Sequence, residues 1–251
     1  MGKIISIANQ KGGVGKTTTA VNLSASLALN NRRVLIVDFD PQGMATIGLG
    51  KIKENKKGIY QALMNGVYIM DLVQPAELDN LYICPCSPEL SGFEAEVFPE
   101  EKRETRLKNT LASVRSLFHY IIIDCPPSLS FLTINALTAA DSVLIPIQTE
   151  FFCMEGLPDL LHMLDDVRAY LNPSLHLEGI VLTMFDERTN LSKQVADEVR
   201  QSLGEIVFSS VIPRSVKLAE APGFGKPILL YDIKSKGAQS YINLAREIII
   251  R

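Results

Sequence analysis

The 251-residue chain contains no tryptophan, only three histidines and only four cysteines. Each shortage excludes something. Cys84, Cys86, Cys125 and Cys153 include no C-x-x-C pair, and Cys84-Pro85-Cys86 is too tight for an ordinary metal couple. The thiols are therefore expected to be reduced, with neither a disulfide framework nor an iron–sulfur centre. His119, His162 and His176 show no ligand spacing and are expected at the surface or packed. There is no polybasic or polyacidic block: the formal net charge is −3. The charge is uneven all the same. Residues 180–251 hold ten Lys/Arg against eight Asp/Glu, and the first 179 hold fifteen against twenty. That bias leaves room for a modest basic face in the last third. No apolar run approaches the ~20 residues of a membrane helix, and no signal-peptide pattern opens the chain. Residues 1–6 fit the permissive myristoylation pattern, but Ile4, Ile5 and Ile7 read as a buried strand, so that reading is set aside.

What is present is a rhythm. Apolar runs rich in Ile, Val and Leu recur at 3–8, 33–40, 81–87, 120–128, 142–148, 177–185 and 205–213. Helical patterns separate them. One is expected from Thr17 to Leu29, and Leu157, Leu160, Leu161, Leu164, Val167 and Leu171 give one apolar stripe for another, read as core packing. Near-continuous apolar strands suit a parallel sheet covered on both faces. The expected fold is α/β: a single, doubly wound, mostly parallel sheet with ligands at the carboxyl ends of its strands. Segment 49–60, with Lys51, Lys53, Lys56 and Lys57, reads as a polar surface excursion.

Between the first strand and the first helix lies KGGVGKTT, residues 11–18. It departs from G-x-x-x-x-G-K-[ST], because Gln10 stands where the first glycine belongs and Lys11 adds a second lysine. Gly12, Gly13 and Gly15 allow backbone N–H groups to converge on phosphate without a Cβ in the way. The helix beginning near Lys16 directs its positive dipole end at the same place. Lys16 suits the β- and γ-phosphates, and the Thr17 hydroxyl suits Mg²⁺. Asp124 closes the strand YIIID, the position of an acid that orients Mg²⁺. Asp38 and Asp40 close another strand, and one is expected to be buried while the other faces the nucleotide. Asp40, beside the Pro41-Gln42-Gly43 turn, is assigned to the attacking water; with Thr17 and Asp124 it completes the candidate metal group. Lys11 precedes the cradle, so its charge is free to reach a phosphate across a dimer interface, as an arginine finger does.

KGGVGKTT resembles the deviant Walker A box of the ParA/MinD superfamily of ATPases. The stretches 7–28, 34–46, 120–141, 182–195 and 211–241 resemble its chromosome-partitioning branch, ParA or Soj, and cover most of the chain. The resemblance implies one P-loop ATPase domain over 1–251, with ATP and Mg²⁺ as cofactors. Gly12, Gly13, Val14, Gly15, Lys16, Thr17 and Thr18 would bind ATP, and Lys11 would contact the partner's nucleotide. Asp40 would be required for hydrolysis. Pro213 and Ser215 would meet the adenine. Arg188 and Lys217 match positions that bind nonspecific duplex DNA, with lysine standing at 217 where arginine is usual. The implied cycle is an ATP-bound homodimer on DNA, released by slow hydrolysis that a ParB-like centromere-binding partner stimulates, in the cytoplasm and on the nucleoid. Three rival readings are weaker. A MinD-like membrane ATPase needs a basic amphipathic C-terminal helix, and SYINLAREIIIR has few cations. An iron–sulfur carrier needs cluster cysteines. A self-repressing plasmid ParA needs an N-terminal helix-turn-helix domain, for which a loop starting at residue 11 leaves no room.

Overall fold

The computed structural model describes residues 2–54, 57–99, 101–151 and 154–251. Cys153, and Lys56 of the polar segment, lie outside the described residues. The strands are β1 (Lys3–Ile7), β2 (Val34–Asp38), β3 (Gln74–Pro75), β4 (Leu81–Cys84), β5 (Tyr120–Asp124), β6 (Ser142–Gln148), β7 (His176–Phe185) and β8 (Val207–Pro213). The helices are α1 (Lys16–Leu29), α2 (Met44–Gly48), α3 (Ile59–Met64), α4 (Phe93–Val97), α5 (Arg106–Ala112), α6 (Phe131–Ala139), α7 (Leu157–Tyr170), α8 (Asn190–Leu203), α9 (Val216–Glu220), α10 (Ile228–Asp232) and α11 (Lys236–Ile250). The strands form one sheet in the order β3-β4-β2-β5-β1-β6-β7-β8. Every pairing is parallel except the edge pair β3–β4. The α/β expectation holds, and only the two-residue β3 has no counterpart among the expected strands.

The period-2 geometry of β1 explains its sequence. Ile4 packs into the layer that contains Leu111, Leu137 and Leu164, while Ile5 and Ile7 enter the opposite layer with Leu23, Leu27 and Tyr241. Ser6, facing the first layer, is buried and donates its hydroxyl to the Ala136 carbonyl at 3.0 Å, so the polar group is satisfied. A strand with both faces covered must be apolar on both, and truncating Ile5 to alanine costs about 2–5 kcal/mol. Gly2 packs tightly enough that a Cβ there would sit 2.3 Å from the Phe118 carbonyl oxygen. The stripe on α7 buries Leu157, Leu160, Leu164 and Val167, with Leu161 and Leu171 at its half-buried margin.

The topology places the chemistry. β1 lies between β5 and β6, so the loop after it emerges at the centre of the sheet. The register sets Ile7 against Asp124 and Asp38 against Asp124, bringing three strand ends together. Segment 49–60 folds back on this end: Lys53 Nζ donates to the Pro41 and Gln42 carbonyls at 3.3 and 2.9 Å. Cys84, Cys86 and Cys125 are free and buried, and burial pushes all three thiols far up, so they are inert. His119, His162 and His176 are exposed.

Candidate functional site

Helix α1 starts with Gly15 in the left-handed region (φ 89°), no side-chain cap and no acidic residue in its first turn. Its first N–H groups are therefore left for an anion. Gly13 (φ 77°) is also left-handed, whereas Gly12 is not, and a Cβ at Gly12 meets open space. Two glycines, rather than three, are thus demanded by the backbone. The loop is held from outside. The Thr183 hydroxyl donates to the Val14 carbonyl at 2.8 Å, and the Asn9 carboxamide oxygen accepts the Lys11 N–H at 3.0 Å.

Lys16 is 6% exposed, and its Nζ donates to the Lys11 carbonyl at 2.9 Å. Burial lowers its pKa, against the opposing pull of Asp124, Cys125 and Asp40. Asp124 is fully buried and neither carboxylate oxygen has a hydrogen-bond partner. Burial first, then the charge of Asp38, raises its pKa; the nearby Thr17 hydroxyl, short of an ordinary hydrogen bond, works in the other direction. A buried carboxylate with two orphaned oxygens beside a hydroxyl fits Mg²⁺, which takes one or two protein oxygens and fills its octahedron with phosphate oxygens and water. Among the described residues no group of three or more His, Cys, Asp or Glu could hold a metal by itself, which agrees with such a sparse site.

Asp38 and Asp40 take different surroundings, but strand alternation does not separate them: two residues apart they would share a face, and β2 ends at Asp38, leaving Asp40 beyond the strand. Asp38 is fully buried and accepts the Thr46 N–H and hydroxyl on one oxygen at 2.7 and 2.6 Å. Burial raises its pKa to about 6, although the Thr46 bonds oppose the shift. Asp40 is 7% exposed, accepts the Gln42 N–H at 2.9 Å, and lines a cavity of about 390 Å³ with Gly13, Gly15, Lys16, Thr17 and Thr18. Pro213 and Ser215 line an adjoining cavity of about 250 Å³ that shares Gly15 and Thr18 with the first. Its other walls, Ile212, Leu218 and Tyr241, are suited to a flat apolar base. The half-buried Lys11 lines neither cavity.

Arg188 and Lys217 are exposed on the loop after β7 and on α9. Arg188 makes a bidentate pair with Asp186 at 2.8 and 2.7 Å, and Lys217 pairs with Asp232. The pairing raises both cations' pKa and lowers that of Asp186 and Asp232. The two cations belong to one end of the molecule: Glu187 pairs with Lys236 at 2.5 Å, four residues beyond the partner of Lys217.

Several supporting residues escaped the sequence reading. Asn22 binds the Thr18 carbonyl at 2.8 Å and accepts the Ile228 N–H at 2.7 Å, tying α1 to α10. Its signal was a lone amide four residues after Thr18 in a helix of small and apolar residues. Met184, left-handed at φ 51°, lines both cavities, and nothing in the sequence marks it.

The AAA domain family matches residues 2–177. The chromosome partitioning protein ParA of Myxococcus xanthus is 54% identical over 252 residues, covering 100% of this chain and 89% of that protein. The sporulation initiation inhibitor protein Soj of Bacillus subtilis is 51% identical over 249 residues, covering 99% of this chain and 98% of that protein. Among solved structures, the cobyrinic acid a,c-diamide synthase from Mycobacterium smegmatis with bound ATP analog and magnesium superposes with a TM-score of 0.87 at 35% identity, covering 99% of this chain and 95% of that one. With full-length relatives above half identity and the deviant loop in its expected place, the chain belongs to the ParA/Soj family of chromosome-partitioning proteins.

Proposed function

We propose that the chain is an ATP-hydrolysing switch for DNA partitioning, working as one domain over residues 1–251. The observation that carries this reading is the uncapped start of α1 beside buried Lys16 and the orphaned carboxylate of Asp124. The family supplies the context, and a homologous structure holds an ATP analog and magnesium. Gly12 to Thr18 cradle the phosphates of ATP, and Lys16 meets their charge. Thr17 and Asp124, with Asp40 nearby, hold magnesium, which neutralises phosphate charge when bound. Asp40 positions the attacking water. Pro213 and Ser215 bound the adenine.

Lys11 serves the second protomer. It has no side-chain hydrogen bond or ion pair among the described residues and stands outside its own cavity, which suits a charge offered across a dimer. Two chains around two ATP molecules give a complete site. That dimer binds nonspecific duplex DNA through Arg188 and Lys217, since phosphate contacts supply affinity without sequence information. Intrinsic turnover is slow, because positioning rather than a strong base does the work. A ParB-like partner stimulates it and releases the DNA. The protein works in the cytoplasm, on the nucleoid when ATP-bound. A MinD-like membrane role is disfavoured because α11 spends its apolar face in the core: Tyr241, Ile242, Leu244, Ala245 and Ile248 are buried.

Cosedimentation tests the reading. Asp40→Ala protein is spun with nonspecific duplex DNA, and separately with anionic liposomes, in ATP or ADP, alongside its Arg188→Ala/Lys217→Ala derivative. ATP-dependent DNA binding that fades in the derivative and in high salt is expected. Liposome binding without DNA binding would transfer the protein to the membrane reading.

A further inference from the structure

We propose that the pole opposite the nucleotide site carries a second anion pocket, formed by Arg32, His119 and Tyr120, that takes a phosphate group. A cavity of about 530 Å³ opens at the amino ends of the central strands, with Lys3, Arg32, Phe118, His119 and Tyr120 among its walls. The P-loop emerges from the other ends of these strands, so the two sites are distinct.

The charges at this pole are unequally satisfied. Lys3 pairs with Glu178 at 2.8 Å, and Arg115 pairs with Asp141 at 2.8 Å. Glu178, whose charge is felt by Tyr120, is further engaged by the Ser142 hydroxyl at 2.6 Å. Arg32 and Arg33 have no carboxylate partner among the described residues. The Nε of each is sealed from solvent and lacks an acceptor. A buried donor left unmade costs about 1–3 kcal/mol, more when charged. An incoming oxyanion offers several acceptors to the guanidinium fork, which matches phosphate geometry.

The pocket is also preorganised. Arg33 stands behind the wall rather than in it, its guanidinium 5.1 Å from the Tyr82 ring centroid and 5.2 Å from that of Phe118. The Arg33 N–H donates to His119 Nδ1 at 2.8 Å, so the neutral imidazole carries its proton on Nε2 as one more donor. The Tyr120 hydroxyl adds another. With Lys3 compensated, the Arg32 guanidinium remains as the unpaired cation in the pocket wall that meets the oxyanion. The phosphate can come from a free phosphorylated metabolite or from a nucleic-acid backbone; the recognising chemistry is the same.

Histidine NMR reads the site, because three histidines give three resolvable Cε1–H signals. Protein saturated with Mg²⁺ and ADP, so that the P-loop is filled, is titrated with inorganic phosphate at fixed pH and fixed ionic strength. A second titration uses a short duplex DNA. The expected result is a saturable shift of His119 with His162 silent, weakened at least tenfold in Arg32→Gln. Tyr120→Phe is the second variant, which removes one donor from the pocket wall and should also weaken the shift, read where its melting curve matches the parent. A response to duplex identifies backbone phosphate as the source, and a response to inorganic phosphate alone identifies a free anion. No saturable His119 shift with either probe, or an undiminished shift in Arg32→Gln, overturns the proposal. Failure here leaves the ATPase reading untouched, because the P-loop is occupied throughout.

Discussion

Replacing Asp38 with asparagine should change how the stability of the nucleotide-free protein depends on pH. In the folded protein the Asp38 pKa is about 6, because burial outweighs two hydrogen bonds from Thr46. In the unfolded chain it is about 3.9. The folded state therefore holds this proton more tightly. The group's contribution is most favourable below about pH 4, is lost progressively as pH rises toward 6, and is flat above that. Two pKa units correspond to about 3 kcal/mol. Asparagine has no proton to lose, and its carboxamide oxygen still accepts both Thr46 bonds. Any constant cost of burying the new N–H₂ cancels when the two proteins are compared at two pH values. The stability difference, variant minus parent, should thus grow by about 3 kcal/mol between pH 4 and pH 8. For a chain of this size that is roughly 6 °C in melting temperature. Thermal melts in EDTA without nucleotide measure it. Parallel melting-temperature curves for the two proteins over that range would refute the assignment of a costly buried charge to Asp38.

Two glycines should fail for different reasons. Gly58→Ala puts a Cβ 2.7 Å from the Pro85 oxygen and the Ser87 nitrogen at an ordinary φ of −156°, and backbone cannot yield as a side chain does, so urea melts should show a loss of about 3 kcal/mol. Gly13→Ala has open space but a φ of 77°, and should cost about 1–2 kcal/mol while weakening nucleotide binding, which Gly58→Ala should spare. Lys16→Ala should lose ATP-driven assembly, whereas Lys11→Ala should bind nucleotide yet lose dimerisation or hydrolysis; normal turnover by the latter would remove the cross-protomer role. In the DNA-bound state, Arg188→Ala and Lys217→Ala should each flatten the dependence of log affinity on log salt by about 0.9 per phosphate contact removed.

The sequence revealed the loop and the sheet because both are written locally. Strand β1 reads as apolar on both faces because both are covered, and KGGVGKTT is contiguous. Asp38 and Asp40, two residues apart, would share a face of one strand; they part because β2 ends at Asp38 and Asp40 stands beyond it. What stayed hidden depends on distant pairing. Thr183 supports Val14 across the fold. Asn22 gains meaning only through Ile228. The ion pairs that occupy Arg188 and Lys217 arise from the loop at Asp186 and from α10, and no spacing rule joins Lys217 to Asp232. Gly12 was assigned a conformational need from its composition alone, and the backbone shows that only Gly13 and Gly15 have it.

The support that Thr183 gives to Val14 also bears on how the protein is made. A chain growing from its amino end carries the complete phosphate motif by residue 18, but without the walls that shape it. Strand β1 has no neighbours until residues 120–124 and 142–148 exist, and the Val14 carbonyl has no donor until Thr183 is synthesised. At ~5–20 residues per second, that interval is roughly 10–30 s. During it the motif is a flexible, glycine-rich segment with no ordered cradle. A nascent chain therefore has no supported phosphate cradle until most of the sheet is in place.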